Sequence, residues 1–333
     1  MVEQPKVSII TPVYNGCSYI GRFIKSLLAQ TYENVQVIII NDGSTDGTHE
    51  IIENYKENIE RKMKEFLYIT IPNGGAGYAV NYALKYVKGE YLTWADSDDE
   101  LLPTNLEKKV EFLDDNPEYG MVHCGAKAID QNSNSELYDL IIPKEARKDN
   151  MFHEIIKGIP CYPGVFMIRT NLLFNTLTNK EIYYNPEVGQ NYQLLLPVAY
   201  CSKCGFLDDI LYLYYVRMDS HSRNSSFRQN FERTYTREEA LENILTFLPK
   251  EIYSLEISNI KKESIIRRFN MAHDERNADY LKRAYKELKS NNLKNVYYMK
   301  VYLSDVYPIF KMLRHIKFRF FNMLEKCFIW RGR

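Results

Sequence analysis

The 333-residue chain lacks the features that mark several large classes of protein. No apolar stretch reaches the ~18 residues that a membrane-crossing helix needs. The 43 basic residues balance the 43 acidic ones, so nothing favours a nucleic-acid partner. Its six cysteines are scattered and no secretory signal opens the sequence, which argues against a disulfide framework. We therefore expect a cytoplasmic globular protein.

The sequence also lacks the glycine-rich motifs that usually hold phosphates. Its first turn is TPVYNG at residues 11–16, where a dinucleotide-binding protein would have G-x-G-x-x-G. The P-loop pattern G-x-x-x-x-G-K-[ST] is absent from the whole sequence. A diphosphate bound here therefore needs another source of positive charge.

The first hundred residues alternate short β-branched runs with amphipathic segments. The runs at residues 7–10, 35–40, 66–71 and 89–95 are predicted strands, and helices are predicted between them. This order predicts an α/β fold with an open, mostly parallel sheet and right-handed crossovers. In such sheets ligands bind beyond the carboxyl ends of the strands. The four loops that follow these strands are therefore the candidate site.

An acidic run follows the fourth predicted strand. Four carboxylates fall within five positions: Asp96, Asp98, Asp99 and Glu100. Like charges this close repel one another unless a cation joins them. Carboxylate oxygens hold Mg²⁺ or Mn²⁺, and such an ion also bridges phosphate oxygens. We expect a Mn²⁺ or Mg²⁺ site that binds a diphosphate. The alternative is that Asp98, Asp99 and Glu100 only cap a helix that begins near Pro103.

With these loops the sequence resembles the glycosyltransferase family 2 enzymes, which have the GT-A fold. The matching segments cover roughly residues 5–220 in the order of the family: VSIITPVYNG, VIIINDGSTDGT, NGGAGYAVNYAL, GEYLTWADSDDELLP and GQNYQLLLPVAY. The resemblance implies a Rossmann-like nucleotide-binding half. It also implies an inverting, metal-dependent transferase that moves a sugar from a nucleoside-diphosphate sugar, with UDP-sugar favoured, to a hydroxyl of a saccharide or lipid-linked acceptor. The expected role is surface polysaccharide or glycolipid synthesis.

The resemblance assigns roles on the nucleotide side residue by residue. The implied nucleotide-binding residues are Pro12, Val13, Tyr14, Asn15, Asp42, Asn73, Gly75 and Asp96. Asp42 is expected at the base, and Asn73 and Gly75 near the ribose and phosphates. Two alternatives stay open, because Tyr14 also fits a surface tyrosine and Asp42 also fits a turn residue.

The metal is implied to be held mainly by Asp98, with Asp96 beside it at the ribose. His221 is a candidate to complete the metal shell, and the alternative is an ordinary loop histidine. The family often has an arginine before the residue equivalent to Asn81, and this chain does not. Arg217 and Arg223 are the candidates to supply the missing charge.

The acceptor side departs from the family. An acidic pair usually supplies the general base at the start of a later helix, and here Gln190 and Asn191 occupy those positions. An amide does not accept a proton near neutral pH. Glu187 is our first candidate for the base, ahead of Asp208–Asp209. Gln190, Asn191 and Tyr162 are candidate acceptor-binding residues. The departure also supports a second hypothesis, a catalytically silent scaffold that binds nucleotide sugars.

The composition changes near residue 225. We predict a transferase domain over residues 1–225 and a helical extension over residues 226–333. The segment 294–333 combines basic and aromatic residues on a predicted amphipathic helix, which is typical of peripheral contact with a membrane. This predicts a location at the inner face of the cell membrane. The alternative is that the segment packs on its own domain or on a second subunit, as in a homodimer.

Overall fold

The computed structural model describes residues 6–185, 188–217 and 226–306. The chain divides into two compact units. The first, the sheet unit, comprises residues up to Asn224 together with Glu239–Lys250. The second, the helical unit, comprises Ser225–Glu238 and the residues from Glu251 onward. The domain boundary at residue 225 stays a prediction.

The sheet unit is built on one sheet of nine described strands. These are β1 (Val7–Val13), β2 (Val35–Asn41), β3 (Glu65–Thr70), β4 (Tyr91–Trp94), β5 (Glu100–Leu101), β6 (Tyr119–Asp130), β7 (Glu136–Leu140), β8 (Phe166–Arg169) and β9 (Lys203–Val216). Their order in the sheet is β3-β2-β1-β4-β8-β6-β9-β5, and β7 pairs with β6. The predicted α/β class is confirmed.

The helices of the described residues separate into two groups. Those of the sheet unit are α1 (Ile20–Leu28), α2 (Thr48–Lys62), α3 (Ala76–Leu84), α4 (Asn105–Asp115), α5 (Phe152–Lys157), α6 (Thr170–Phe174) and α7 (Asn191–Cys201). The helices that follow are α8 (Phe227–Ile244), α9 (Lys250–Asp274), α10 (Ala278–Ser290) and α11 (Val296–Val306). Helix α8 contributes residues to both units.

The first half of the sheet is parallel, as the sequence predicts. Strand β1 pairs in parallel with β2 and β4, and β2 pairs in parallel with β3. All residues of β1 and β2 are buried, because helices cover both faces of a parallel sheet. Val13 lies opposite Asn41, and Asn41 lies opposite Thr70. The loops after these strands therefore leave the same edge of the sheet.

The second half of the sheet is mixed. Strand β6 is antiparallel to β8 and parallel to β9, and β9 is antiparallel to β5. Strand β5 holds Glu100 opposite Leu213 of β9. This pairing brings the acidic run, which precedes β5, next to the carboxyl half of β9.

The helical unit has its own apolar core. Its buried residues are Phe231, Ile265, Phe269, Ala272, Leu281, Ala284 and Leu288. Helix α11 packs against this core through Tyr298, Val301 and Tyr302. The first part of the predicted membrane segment therefore packs on its own unit, while residues 307–333 lie outside the described residues. Within the described residues, no helix is both long and apolar enough to cross a membrane.

Candidate active site

The loops after β1 and β2 are fastened to each other by hydrogen bonds. The amide of Asn15 donates to Ser44 Oγ (2.9 Å), and the Thr45 amide donates to Asn15 Oδ1 (2.8 Å). The Gly16 amide donates to Thr48 Oγ1 (2.8 Å). Asn15 itself has a φ of 48°, a left-handed conformation that asparagine tolerates better than most residues. The first two loops therefore form one rigid wall at the sheet edge.

Asp42 joins the second loop to the third. Its Oδ1 accepts the amide hydrogen of Gly74 and its Oδ2 that of Gly75, both at 2.8 Å. The Asn73 side chain donates to the Asp42 carbonyl (2.9 Å). Asp42 is buried, and it does more than form a turn. Its predicted contact with a base stays a prediction, as do the roles of Asn73 and Gly75.

The predicted residues at the end of β1 lie on this wall. Pro12 and Val13 are buried as the last residues of the strand, and Tyr14 beyond them is half exposed. The hydroxyl of Tyr19 lies 3.2 Å from the carbonyl of Asn15 and donates a hydrogen bond to it. The predicted nucleotide contact of Tyr14 is untested, and the surface alternative stays open.

Three carboxylates converge in the loop after β4. One oxygen from each of Asp96, Asp98 and Asp99 lies within 4.8 Å of the other two, and we call this set the acidic cluster. Asp99 Oδ2 accepts the hydroxyl hydrogen of Tyr212 (2.8 Å), and its Oδ1 accepts the amide hydrogen of Tyr215 (2.8 Å). Asp99 is thus fixed behind the other two carboxylates.

The helix-capping alternative for the acidic run is wrong. Helix α4 begins at Asn105 after Thr104, which makes no capping hydrogen bond through its side chain. Glu100 lies in β5, where its Oε1 accepts the hydroxyl hydrogen of Tyr215 (2.7 Å). Asp99 instead accepts a hydrogen bond from the amide of Tyr215 in β9. The contacts of these carboxylates are with β9 and with one another, and they do not cap α4.

The acidic cluster carries more negative charge than its surroundings neutralise. Burial and then the neighbouring charge of Asp98 raise the pKa of Asp96, Arg217 opposes them, and the resulting pKa is about 7. Burial, followed by the charges of Asp98 and Asp96, raises the pKa of Asp99 well above its usual range. Both shifts show that this place favours an added positive charge. Clustered carboxylate oxygens are the ligands that Mg²⁺ and Mn²⁺ prefer, so the residues present fit such an ion.

Two arginines approach the acidic cluster. An N–H of Arg217 lies 3.1 Å from Asp98 Oδ2, and the guanidinium lies 5.1 Å from the ring centre of Tyr19. Arg217, one of the two sequence candidates for the missing charge, therefore lies beside the acidic cluster, and the other, Arg223, lies outside the described residues. Arg22 of α1 donates hydrogen bonds to the Asp98 carbonyl and to Gln131 Oε1 (2.9 Å).

Arg22 also contacts two residues next to the acidic cluster, Glu100 and Tyr215. Its Nε lies 3.4 Å from Glu100 Oε1, and its guanidinium stacks 3.4 Å from the ring centre of Tyr215. Sequence reasoning missed Arg22, Tyr212 and Tyr215. The only local signal was one arginine within the apolar stretch of α1. Its partners lie 76 or more positions away, so only the folded chain identifies it.

One acceptor-side candidate, Asn191, is hydrogen-bonded to the strand that precedes the acidic cluster. Asn191, the first residue of α7, accepts the indole hydrogen of Trp94 (2.7 Å) and donates to the Cys161 carbonyl (2.6 Å). Trp94 ends β4, two positions before Asp96. The oxygen and the nitrogen of the Asn191 amide are thus both hydrogen-bonded within the protein. The predicted contact of Asn191 with the acceptor stays a prediction.

Some of the other acceptor-side candidates lie in the described residues and some do not. Gln190 is buried at the start of α7, and the ring of Tyr162 lies 5.1 Å from that of Tyr214. Glu187 and His221 lie outside the described residues. The alternative bases in Asp208–Asp209 form ion pairs with Arg147 and Lys108, at 2.5 Å each. They are therefore already neutralised elsewhere in the sheet unit.

The family profile with the printed description "Glycosyl transferase family 2" matches residues 8–177, slightly more than half of the chain. The chain belongs to glycosyl transferase family 2. The match runs from β1 to just past α6 and so contains the three fastened loops and the acidic cluster. The resemblance seen in the sequence is confirmed.

Curated relatives agree with this family 2 assignment. An uncharacterised glycosyltransferase of Rickettsia typhi is 41% identical over 163 residues, which cover 46% of this chain and 49% of the relative. The putative teichuronic acid biosynthesis glycosyltransferase TuaG of Bacillus subtilis is 40% identical over 110 residues, covering 33% and 42%. The chain spans about half the length of the rickettsial relative that it matches.

Solved structures share the fold of this family 2 protein. TarS 1-349 of S. aureus in complex with UDP-GlcNAc has a TM-score of 0.59 at 19% identity and covers 90% of this chain and 91% of its own. The mannosyltransferase PcManGT of Pyrobaculum calidifontis, in complex with GDP-Man and Mn²⁺, has a TM-score of 0.52 at 15% identity, covering 95% and 88%. At these identities the likeness shows the fold alone.

Proposed function

We propose that this protein is an inverting, metal-dependent glycosyltransferase. It moves a sugar from a nucleoside-diphosphate sugar, preferably a UDP-sugar, to a hydroxyl of a saccharide or lipid-linked acceptor. The observation that carries the proposal is the acidic cluster, whose carboxylates meet within 4.8 Å beside three fastened loops at the edge of a parallel sheet. The sheet edge is where nucleotide ligands bind in this fold class.

Asp98 and Asp96 would hold Mn²⁺ or Mg²⁺, with Asp99 fixed behind them by Tyr212 and Tyr215. When bound, the ion neutralises charge on the leaving diphosphate. PcManGT, which shares the fold, was solved with Mn²⁺ and a nucleotide sugar, and TarS with UDP-GlcNAc. These two complexes support the proposed metal and donor.

Arg217 supplies positive charge in the proposed reaction. Its guanidinium lies against Asp98, at the place where the diphosphate would meet the acidic cluster. A guanidinium binds two phosphate oxygens at once and stays charged at any physiological pH. The chain thereby replaces the arginine that the family often carries before Asn81. Asn81 itself accepts the amide hydrogen of Ile182 (2.9 Å).

The transfer is a single displacement. The acceptor oxygen attacks the anomeric carbon from the face opposite the diphosphate, the new C–O bond forms as the bond to the diphosphate breaks, and the configuration inverts. The acceptor hydroxyl must lose its proton to a base within hydrogen-bond reach. We assign this proton to Glu187, since Asn191 is an amide and Asp208–Asp209 is neutralised elsewhere.

The acceptor is proposed to be a growing surface polysaccharide or glycolipid. TuaG, whose name refers to teichuronic acid biosynthesis, supports this class of product. Residues 307–333 carry most of the basic and aromatic side chains proposed to contact the inner face of the cell membrane. A homodimer is the other partner consistent with that segment.

The proposed function is tested by release of nucleoside diphosphate from a panel of nucleotide sugars with Mn²⁺ and a membrane-extract acceptor. Glu187→Gln is expected to lower the transfer rate by about 10²–10⁴-fold, because it removes the base. The control Glu118→Gln changes an exposed glutamate before β6 and should leave the rate unchanged. Full transfer by Glu187→Gln would refute the assigned base.

A catalytically silent nucleotide-sugar scaffold is the second candidate. The observation that favours it is Asn191, an amide at the position of the usual acid, with both ends engaged by Trp94 and Cys161. The same assay distinguishes the two candidates. Metal-dependent binding of a nucleotide sugar without any diphosphate release would favour the scaffold.

A further inference from the structure

Tyr212 of β9 connects the acidic cluster to the interior of the sheet unit. Its side chain is completely buried, and its hydroxyl donates the 2.8 Å hydrogen bond to Asp99 Oδ2. Its backbone is paired with Ala126 of β6 on one side and with Leu101 of β5 on the other. The backbone of Tyr212 is therefore fixed, and only a rotation of the side chain moves the hydroxyl away from Asp99.

Gly164, two residues before β8, lies directly against the ring of Tyr212. A Cβ atom at Gly164 would lie 2.0 Å from Cε2 of that ring and 2.5 Å from both Cδ2 and Cζ. Such distances are far below van der Waals contact, so a larger residue at this position would push the buried ring aside. Gly164 also has a φ of 77°, a left-handed conformation that favours glycine. Both the backbone and the ring therefore require glycine here.

Two buried groups hold Gly164 in this place. Its amide donates to the carbonyl of Trp94 at the end of β4 (2.5 Å), and its carbonyl accepts a hydrogen bond from Nζ of Lys109 in α4 (2.6 Å). Lys109 is completely buried, and burial of an amino group is costly unless it is hydrogen-bonded. The hydrogen bond to Gly164 is thus part of what makes a lysine tolerable inside the sheet unit.

The same lysine connects Gly164 to β9. Lys109 Nζ also donates to Asn105 Oδ1 (2.9 Å), and Asn105 Nδ2 donates to the carbonyl of Leu211 (2.7 Å), the residue before Tyr212. Helix α4 therefore anchors both the glycine that contacts the ring and the strand segment that carries the ring. Buried polar groups are hydrogen-bonded as a rule, and here their bonds connect three separate segments of the sheet unit.

We propose that Gly164 and Lys109 are positioning residues for the acidic cluster. Lys109 holds Gly164 in place, and Gly164 leaves room for the ring of Tyr212. The Tyr212 hydroxyl in turn holds Asp99 among the other carboxylates. The consequence for metal binding rests on the proposed function. Loss of a partner that orients the ligands of a metal typically lowers the affinity for the ion by about 10–100-fold. Gly164 and Lys109 therefore influence Mn²⁺ affinity without being among the proposed ligands.

The first test substitutes Gly164→Ala in the full chain, with Gly158→Ala as the matched control. Gly158 also has a left-handed φ (97°), at the end of α5, so alanine carries the same kind of backbone strain there. Electron paramagnetic resonance measures Mn²⁺ binding in the presence of UDP. Gly164→Ala should lose about 10-fold in Mn²⁺ affinity, and Gly158→Ala should keep the wild-type affinity. A crystal structure of Gly164→Ala should show the Tyr212 hydroxyl beyond hydrogen-bond distance from Asp99.

Tyr212→Phe decides the case even if Gly164→Ala does not fold, because it keeps the ring and removes only the hydroxyl. It should also lose about 10-fold in Mn²⁺ affinity. The double variant should bind Mn²⁺ no more weakly than the weaker single variant, because both changes remove the same contact. Lys109→Met should bind Mn²⁺ severalfold more weakly than Lys108→Met, which changes a partly exposed lysine on the same helix.

The proposal is overturned if Tyr212 keeps its contact with Asp99 in the crystal structure of Gly164→Ala. It is equally overturned if Gly164→Ala or Tyr212→Phe binds Mn²⁺ as tightly as the wild type. Equal affinities of Lys109→Met and Lys108→Met would overturn the role of Lys109. Failure of the proposed function would instead appear as a wild type that binds no Mn²⁺ in the presence of UDP, with the displacement of Tyr212 in Gly164→Ala still visible.

Discussion

The two units of this protein treat buried charge in opposite ways. In the helical unit Arg268 is 2% exposed, and its charge is fully matched. Its guanidinium contacts Glu238 (2.9 Å) and Glu287 (2.8 Å) and lies 4.0 Å from the ring centre of Tyr235. This network connects α8, α9 and α10, because its two glutamates lie on the outer two helices and its arginine on α9.

The sheet unit instead crowds charges of one sign together. Asp96, Asp98 and Asp99 come together, and the arginines that approach them do not prevent the raised pKa of Asp96 and Asp99. A fold does not need such crowding for its own stability. The comparison teaches that a buried cation serves structure in the helical unit, whereas crowded carboxylates mark the candidate site in the sheet unit.

The largest expected effect comes from Asp98→Asn, which removes a charge that the fold does not need. Transfer should fall by at least about 10²–10³-fold, because the leaving diphosphate loses its electrostatic support. The free energy of unfolding should change by less than about 1 kcal/mol. Diphosphate release and thermal unfolding measure the two effects. An unchanged transfer rate would contradict a role of Asp98 in transfer. A variant that no longer folds would contradict the claim that the fold does not need this charge.

Arg268→Leu tests the other side of the comparison. It leaves the half-buried Glu238 and Glu287 without a cation, so we expect a destabilisation of about 3 kcal/mol. Arg283→Ala is the matched control. It breaks a solvent-exposed pair with Glu232 (2.7 Å) and should cost less than about 1 kcal/mol. Denaturant unfolding, monitored by hydrogen exchange of amides in α9 and α10, measures both variants. Equal losses in the free energy of unfolding would contradict the account.

Arg22→Met sharpens the comparison within the sheet unit. Arg22 contacts the Asp98 carbonyl and Glu100, so it positions the acidic cluster without being one of the proposed metal ligands. Its loss should weaken Mn²⁺ binding about 10-fold, as for other residues that orient metal ligands. Lys25→Met, an exposed change on the same helix, is the control. Calorimetry with Mn²⁺ decides, and equal affinities in the two variants would remove Arg22 from this role.

A further prediction concerns the acid sensitivity caused by a buried histidine away from the site. His123 packs between Phe166 and Phe206, and burial, followed by the charges of Lys109 and Arg147, lowers its pKa to about 3. The unfolded chain takes up a proton below about pH 6.5 and the folded chain does not. Stability is therefore fully present above pH 6.5 and falls, by up to about 1.4 kcal/mol per unit, as the pH drops toward 3.

His123→Phe should reduce this acid sensitivity. Melting temperatures measured from pH 7 to pH 4 should fall less steeply in the variant than in the wild type. The control His153→Gln changes an exposed histidine and should keep the wild-type slope. A His123→Phe slope equal to that of the wild type would show that His123 is not the titrating group.

Local patterns made the parallel half of the fold predictable. Strands β1 and β2 are rich in β-branched apolar residues and every residue of both is buried, and the loops after them have the composition of turns. The acidic cluster was predictable for the same reason, since Asp96 and Asp98 are neighbours in sequence. Asp99 was visible as part of the acidic run, but its place behind the other two carboxylates was not.

Long-range partners set the limit of sequence reasoning. Tyr212 lies 113 positions from the carboxylate that it fixes, and Arg22 lies 76 positions from the carbonyl that it holds. No local pattern of apolar and polar residues predicts such pairs, because they depend on the order of strands in the sheet. The same holds for Gly164, which follows a proline as many turn glycines do and whose contact with Tyr212 only the fold shows.

The central claim is that the acidic cluster holds a divalent cation together with a nucleoside diphosphate. A titration of Mn²⁺, followed by electron paramagnetic resonance with and without UDP, tests it in the wild type and in Asp98→Asn. We predict that the wild type binds Mn²⁺ more tightly when UDP is present and that Asp98→Asn loses at least about 100-fold in affinity. Equal Mn²⁺ binding by the two proteins in the presence of UDP would contradict the account.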